Sequence, residues 1–455
     1  MMSSRMETEV AIVGGGPAGL AAAREAARFG ARVTLIEQDR PGGRALWHSL
    51  VPSKVWLHAA NLLGETVQAP SMGVAGNSPR SDLAALRQRL QQVKDGEHAL
   101  NSQDFESLGI AVLSGTAQFV DDNTLQIQRA EGETRFLRAE SVILASGSVP
   151  IFPPDLKPDG ARILAPRFLS QLDNIPNSMI VVGGGVTGSE VIYLFNRLGT
   201  AITVVTDIQT LLPRADLEIS ESLETQLAER GVDFHKNIAA QQIINHGNQV
   251  SVILADGQEL TADYAFVAIG RRPDVGNLNL QATSVATDEA GGVPVDAHCQ
   301  TSVHHIFAAG DITGAPMLAN RAAAQGRVAA RNAVRGSQDV YHPEWTVEVV
   351  YTEPEVAQVG MTQRAAKAEG MDVRVHQANY QRNLKSHITG HREGFLKLVI
   401  ENGSDALLGA AAVGAHAGDL LAPLAVALRA GLSLPELLDV VPANPTLSEL
   451  IIQAE

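Results

Sequence analysis

The stretch Glu9–Gln38 reads EVAIVGGGPAGLAAAREAARFGARVTLIEQ. An apolar run, Val10 to Val13, enters three spaced glycines, Gly14, Gly16 and Gly19. An alanine-rich helical segment follows, and a second apolar run ends at Glu37. Strand, glycine turn, helix, strand and terminal acid together make a dinucleotide-binding βαβ unit in its full context. Gly14 permits the tight turn. Gly16 lets a pyrophosphate approach the backbone at the positive end of the helix. Gly19 lets helix and strand pack closely. Glu37 can accept hydrogen bonds from both ribose hydroxyls of an adenosine.

The pattern recurs at Ser178–Gln209, SMIVVGGGVTGSEVIYLFNRLGTAITVVTDIQ. Gly183, Gly185 and Gly188 repeat the first three glycines, while the place of Glu37 falls on Thr206, with Asp207 next. Two dinucleotide sites in one chain point to hydride or electron transfer between their ligands.

The rest of the sequence sets bounds on this reading. A chain of 455 residues exceeds one hydrophobic core, so two to four domains are expected. A formal charge of −15 disfavours nucleic acid or an anionic membrane surface as partner. No apolar run has the length of a membrane span, and the opening MMSSRMETEVAIVGGG lacks the regions of a signal peptide, so a cytoplasmic protein is expected. The single cysteine, Cys299, permits no intramolecular disulfide and reads as a buried, inert thiol. SVILASGSVP (141–150) and AFVAIGRRPD (265–274) read as buried strands, and 306–333 as strand, acidic loop and helix. Ser81 to Leu100 reads as a polar amphipathic arm. From about Tyr341 strands alternate with helices and no glycine fingerprint occurs, the pattern of an α+β domain.

The order GGGPAG, GG…PSK, ASGSVP, GGGVTGSE, GRRP, AAGDITG, YTEPEVAQVG, NPTLSE resembles the class I pyridine nucleotide-disulfide oxidoreductases over nearly the whole chain. Dihydrolipoamide dehydrogenase, mercuric reductase and soluble transhydrogenase are the nearest branches. The resemblance implies an α/β fold of two Rossmann-like FAD- and NAD(P)-binding domains plus a C-terminal α+β dimerisation domain. The expected boundaries are 1–150 with 273–340 for FAD, 151–272 for NAD(P), and 341–455 for the homodimer contact. By position, Gly14, Gly16, Gly19 and Glu37 would hold the ADP half of FAD and Gly147 and Asp311 the rest, while Gly43, Gly270 and the run Met317, Leu318, Ala319 are further cofactor-binding positions. Gly183, Gly185, Gly188 and Asp207 would hold the nicotinamide nucleotide. Lys54 and Glu190 match a pair beside the flavin ring, where an ammonium stabilises negative charge on the reduced ring. Val186 stands where some relatives place a tyrosine over the flavin.

One landmark is broken. The family pattern Gly-Gly-x-Cys, four residues, Cys, x-Pro-Ser-Lys is here GGRALWHSLVPSK (42–54), with Ala45 and Leu50 at the cysteine positions. Neither side chain donates electrons, forms a disulfide or binds a soft metal. The terminal acid/base histidine is Asn444, which cannot shuttle a proton at neutral pH, although its usual partner Glu449 remains. Trp47 and His48 lie between the lost positions. They either cap and pack a helix or front an acceptor, His48 then supplying a proton.

The reading this favours is an FAD-dependent NAD(P)H dehydrogenase that passes electrons from flavin to a small diffusible acceptor of quinone or dye type. NADH is expected over NADPH, because Asp207 repels a 2′-phosphate. Two alternatives stay open: a soluble transhydrogenase, and an FAD-binding scaffold whose activity has decayed.

Overall fold

The computed structural model describes residues 6–75, 80–130, 132–336 and 338–454. They form two compact units, each assembled from three segments. The first takes Met1–Pro52, Arg87–Ile151 and Gly270–His342; the second takes Ser53–Leu86, Phe152–Ile269 and Pro343–Glu455.

In the first unit the strands run Ala111–Ser114, Val33–Glu37, Met6–Val13, Thr134–Leu144, Thr124–Gln128, Thr116–Asp121, with Ile306–Ala308 also on Thr134–Leu144. The first four are parallel and the last two form an antiparallel meander. The long strand serves both patterns. Its opening half pairs with the meander and alternates in burial; its closing half, Val142–Leu144, pairs with Ile306–Ala308 and is buried on both faces. Helix Pro17–Arg28 crosses helix Ala319–Arg335 on small residues. Gly326 has no room for a Cβ there, because one would run into the Ala18 carbonyl.

In the second unit a parallel sheet runs Asp233–His235, Ala201–Val205, Ser178–Val182, Tyr264–Val267, Ile163–Leu164. An antiparallel ribbon, Ala240–Asn245, Val250–Leu254 and Glu259–Ala262, packs Val250, Val252 and Leu254 onto Ile180, Val182 and Val205. Helix Val186–Arg197 is buried continuously from Gly188 to Phe195. The C-terminal part is an antiparallel sheet ordered Glu348–Val350, Glu355–Gly360, Leu407–Gly414, Phe395–Glu401, Val373–Asn379, packed against helix Ala417–Ala430. The chain is therefore α/β with two Rossmann-type sheets and a C-terminal α+β portion. The arm expected at 81–100 is one helix from Leu83 to Leu108, anchored by Leu90, Asn101 and Phe105. No described helix is long and apolar enough to cross a membrane.

Candidate functional site

The two glycine loops are built alike. Gly14 (φ 104°) and Gly183 (φ 114°) occupy the left-handed region, and a Cβ on either would strike a carbonyl of the neighbouring strand's exit, Ala145 or Ala268. Gly19 and Gly188 likewise press on the carbonyls of Gly14 and Gly183. A Cβ on Gly16 or Gly185, by contrast, would meet nothing within 4 Å. Each of these glycines opens a free space at the N-terminus of a twelve-residue helix, which fits a pyrophosphate.

The loops differ at the acid. Glu37 is buried; its Oε2 accepts the Gly15 N–H at 2.6 Å and its Oε1 the Asp39 N–H at 2.9 Å. That fixes a carboxylate whose remaining lone pairs can take ribose hydroxyls. In the second unit the buried Thr206 stands there, and Asp207 is exposed. The nearby cations are already paired: Lys236 with Glu224 at 2.7 Å, Arg214 with Glu348 at 2.7 Å.

Several other residues expected to bind a cofactor lie in the first unit. Gly42 N–H donates to the Gly15 carbonyl at 2.8 Å, and a Cβ on Gly43 would come 2.8 Å from Gly16 Cα, so this turn rests on the phosphate loop. Gly147 and Gly270 have positive φ in the paired segments around Ser148–Pro150 and Arg271–Pro273. Asp311 accepts a short hydrogen bond from the Ser148 hydroxyl. Met317 and Leu318 lead into helix Ala319–Arg335, with Leu318 at its N-cap.

Lys54 and Glu190 meet in the second unit. Lys54 Nζ lies 2.8 and 2.7 Å from the two oxygens of a Glu190 carboxylate that is only 7% exposed. A third residue completes this clasp, and sequence reasoning missed it. The Tyr351 ring centroid lies 4.7 Å from Lys54 Nζ, and the Tyr351 N–H donates to Glu190 Oε1 at 3.2 Å. Its signal was present in YTEPEVAQVG, a stretch that gave recognition but no role.

The segment that carries Ala45 and Leu50 is helical. It forms a short helix, Gly43–Trp47, followed by helix Leu50–Gln68. Trp47 is buried: its indole N–H donates to the Pro41 carbonyl at 3.0 Å, the Arg40 guanidinium lies 3.8 Å over its ring, and His98 packs against it edge-on. His48 is half exposed, 3.8 Å from Asp39. Partial burial holds its imidazole below the ordinary value; Asp39 opposes this and Lys94 adds to it. Ala45 and Leu50 line a cleft of about 420 Å³ with Leu20, Ala21 and Ala323, and Arg24, Arg28 and Arg327 are also on its wall. In the C-terminal part Asn444 donates to Glu449 Oε1 at 2.6 Å and holds that carboxyl below its usual value. Cys299 is fully buried, which pushes its thiol up to about 12.

Comparisons agree with this architecture. Residues 8–326 match the family model described as pyridine nucleotide-disulphide oxidoreductase, and residues 346–455 match that family's dimerisation domain. The chain is 34% identical to dihydrolipoyl dehydrogenase 2 of Haloarcula marismortui, covering 98% of this chain and 96% of that one. It is 31% identical to an NAD(P)H dehydrogenase (quinone) of Mycobacterium tuberculosis, covering 99% and 93%. The crystal structure of LpdA from Mycobacterium tuberculosis superposes with a TM-score of 0.93 at 31% identity, over 98% of both chains. The HOCl-induced flavoprotein disulfide reductase RclA from Escherichia coli, as its Cu(II) complex, gives 0.86 at 25% identity, again over 98% of both chains. The chain thus belongs to the pyridine nucleotide-disulphide oxidoreductases, a family that binds FAD and NAD(P), and it lacks the cysteine pair from which the family takes its name.

Proposed function

We propose that this protein is an FAD-dependent NAD(P)H oxidoreductase that passes electrons from flavin directly to a diffusible acceptor of quinone or dye type, with no dithiol step. One observation carries the reading: the Lys54–Glu190 clasp is intact, while Ala45 and Leu50 replace the thiols and form apolar wall of an open cleft. The quinone-reducing name of a Mycobacterium tuberculosis relative supports the same class.

FAD is assigned to residues 1–150 with 273–340, the nicotinamide nucleotide to 151–272, and the homodimer contact to 341–455. When bound, FAD accepts hydride from a nicotinamide and gives up electrons singly or in pairs. The chain's part is positioning and charge. Gly14, Gly16, Gly19 and Glu37 would hold the adenosine pyrophosphate half, with Gly43, Gly147, Asp311 and Met317–Ala319 around the remainder. Gly183, Gly185 and Gly188 would hold the second pyrophosphate. Asp207 would disfavour a 2′-phosphate, and no unpaired cation stands ready to receive one at Arg214 or Lys236, so NADH is preferred. Glu190 fixes the Lys54 ammonium as a constant positive charge. His48, half exposed beside Asp39, would hand a proton to the acceptor.

The test is anaerobic titration of the purified yellow protein with NADH, then addition of a soluble quinone. Bleaching of the flavin band followed by its return with quinone supports the proposal. A protein that holds FAD but bleaches with neither NADH nor NADPH would be a scaffold rather than this enzyme.

A further inference from the structure

We propose that Arg44 is an FAD-holding residue: from the turn that rests on the first phosphate loop, its guanidinium spans to Ser148 and the Asp311 turn and supplies positive charge to the groove between them. The inference rests on the placement of FAD in the first unit, and not on the identity of the acceptor.

Arg44 starts from the turn that lies against the first glycine loop. The preceding residue, Gly43, abuts Gly16, whose Cβ position is open space. The side chain ends at Ser148, where its Nη1 donates to the carbonyl at 2.9 Å. Arg271 converges on the same residue: its Nε donates to Ser148 Oγ at 2.9 Å, and its Nη2 makes a short bond to the same carbonyl that Arg44 uses. Ser148 Oγ in turn donates to Asp311. Two guanidinium groups on one carbonyl repel each other, so the arrangement needs nearby anions. Asp311 and Asp274 provide some of this, each acting on Arg44 through space.

The donor count leaves room for an anion. A guanidinium carries five N–H donors in a fixed fork, and the Arg44 side chain makes one hydrogen bond and no ion pair within 4 Å among the described residues. Burial weighs on its charge more than the two aspartates relieve it. A partly buried cation with four further donors, on the turn beside a glycine loop that fits a pyrophosphate, is matched by a dianion, which a guanidinium binds in planar bidentate fashion. Arg44 has a second effect. Ser49 Oγ donates to the Arg44 carbonyl at 3.2 Å, and His48 N–H donates to it at 2.9 Å. Fixing Arg44 therefore fixes the turn that relatives staple with a disulfide.

The experiment measures FAD dissociation from the holoprotein by recovery of flavin fluorescence on dilution, at low and high salt, with no nicotinamide or quinone present. The variants are Arg44→Met, Arg44→Lys and Gly16→Val. Arg44→Met is expected to weaken FAD binding roughly tenfold and to flatten its salt dependence, with apoprotein melting unchanged. Arg44→Lys, which keeps the charge and most of the stem, is expected to restore the salt dependence and part of the affinity. Gly16→Val, whose side chain enters open space in the protein itself, is expected to abolish FAD binding while the apoprotein stays folded. An Arg44→Met protein that binds FAD within about twofold of the parent, or loses affinity with an unaltered salt dependence, overturns the proposal. Gly16→Val that still holds FAD overturns the placement of the cofactor and the role of Arg44 with it. If Gly16→Val loses FAD and Arg44→Met does not, the role of Arg44 alone is overturned.

Discussion

Lys54 and Glu190, 136 positions apart in the sequence, share two hydrogen bonds of 2.8 and 2.7 Å, and the Tyr351 ring faces the same ammonium at 4.7 Å. A lysine with a carboxylate on one side and an aromatic face beside it has its charge fixed and its rotamers restricted. Lys54→Met is expected to slow flavin reduction by NADH by about a hundredfold, read by stopped flow, since a fixed charge that stabilises the reacting centre contributes on the order of 3 kcal/mol. Tyr351→Phe keeps the ring and is expected to leave the rate near that of the parent. Tyr351→Ala should slow it several-fold.

The second glycine loop gives a separable prediction. Gly185→Val places a side chain in space that the protein leaves empty, so the variant should fold and retain its FAD. Its apparent affinity for NADH should fall by at least about a hundredfold, measured as the nucleotide concentration for half-maximal bleaching. Loss of FAD from this variant would exchange the two site assignments.

On the proposed reading, nucleotide choice turns on one exposed carboxylate, Asp207. Asp207→Ser is expected to raise kcat/KM for NADPH roughly tenfold with little change for NADH, because it removes repulsion of a 2′-phosphate without adding a partner for it. Steady-state comparison of both nucleotides in parent and variant checks this. A parent enzyme that already prefers NADPH contradicts it.

The His48 imidazole sits below its ordinary value of 6.5, with burial as the largest cause. The folded protein therefore binds this proton less readily than the unfolded chain. The corresponding contribution to stability is present above the unfolded value and is lost as pH falls through the folded one. The melting temperature of the parent should drop more steeply from pH 7 to pH 5 than that of His48→Gln. If His48 is the proton donor for the acceptor, quinone reduction should also rise toward acid pH in the parent and flatten in the variant.

Much of this site could be read from sequence because its parts obey local rules. Glycines that no Cβ can replace, such as Gly14 and Gly183, leave a mark wherever they occur, and the buried strands leading to them are continuous apolar runs. The edge strand Val373–Asn379 escaped notice because its residues are mostly half exposed and polar, VRVHQAN, and its place is set by pairing with Phe395–Glu401. The arm helix runs to Leu108 because Asn101 and Phe105 are drawn in by contacts remote in sequence; Arg24 Nη2 bonds Asn101 Oδ1 at 2.5 Å. Arg44 and Tyr351 were illegible as site residues for a similar reason. Arg44 meets Ser148, and separately Tyr351 meets Glu190 and Lys54, only once the chain has folded. Trp47 has its indole N–H, ring face and edge all engaged within its own unit, so packing accounts for it.

Cys299, buried in a core with its thiol pushed up to about 12, is the only sulfhydryl in the chain, and that sets how many electrons one protomer can store. A flavin beside a disulfide takes up four; a flavin alone takes two. Reductive titration should therefore end at about one NADH per chain. Under the proposed activity, each cycle would have to discharge the flavin completely before the next hydride arrives. Peroxide, hypochlorite, arsenicals and mercurials find no accessible thiolate to oxidise or capture, so activity should persist under oxidative conditions that silence an enzyme whose electrons pass through sulfur.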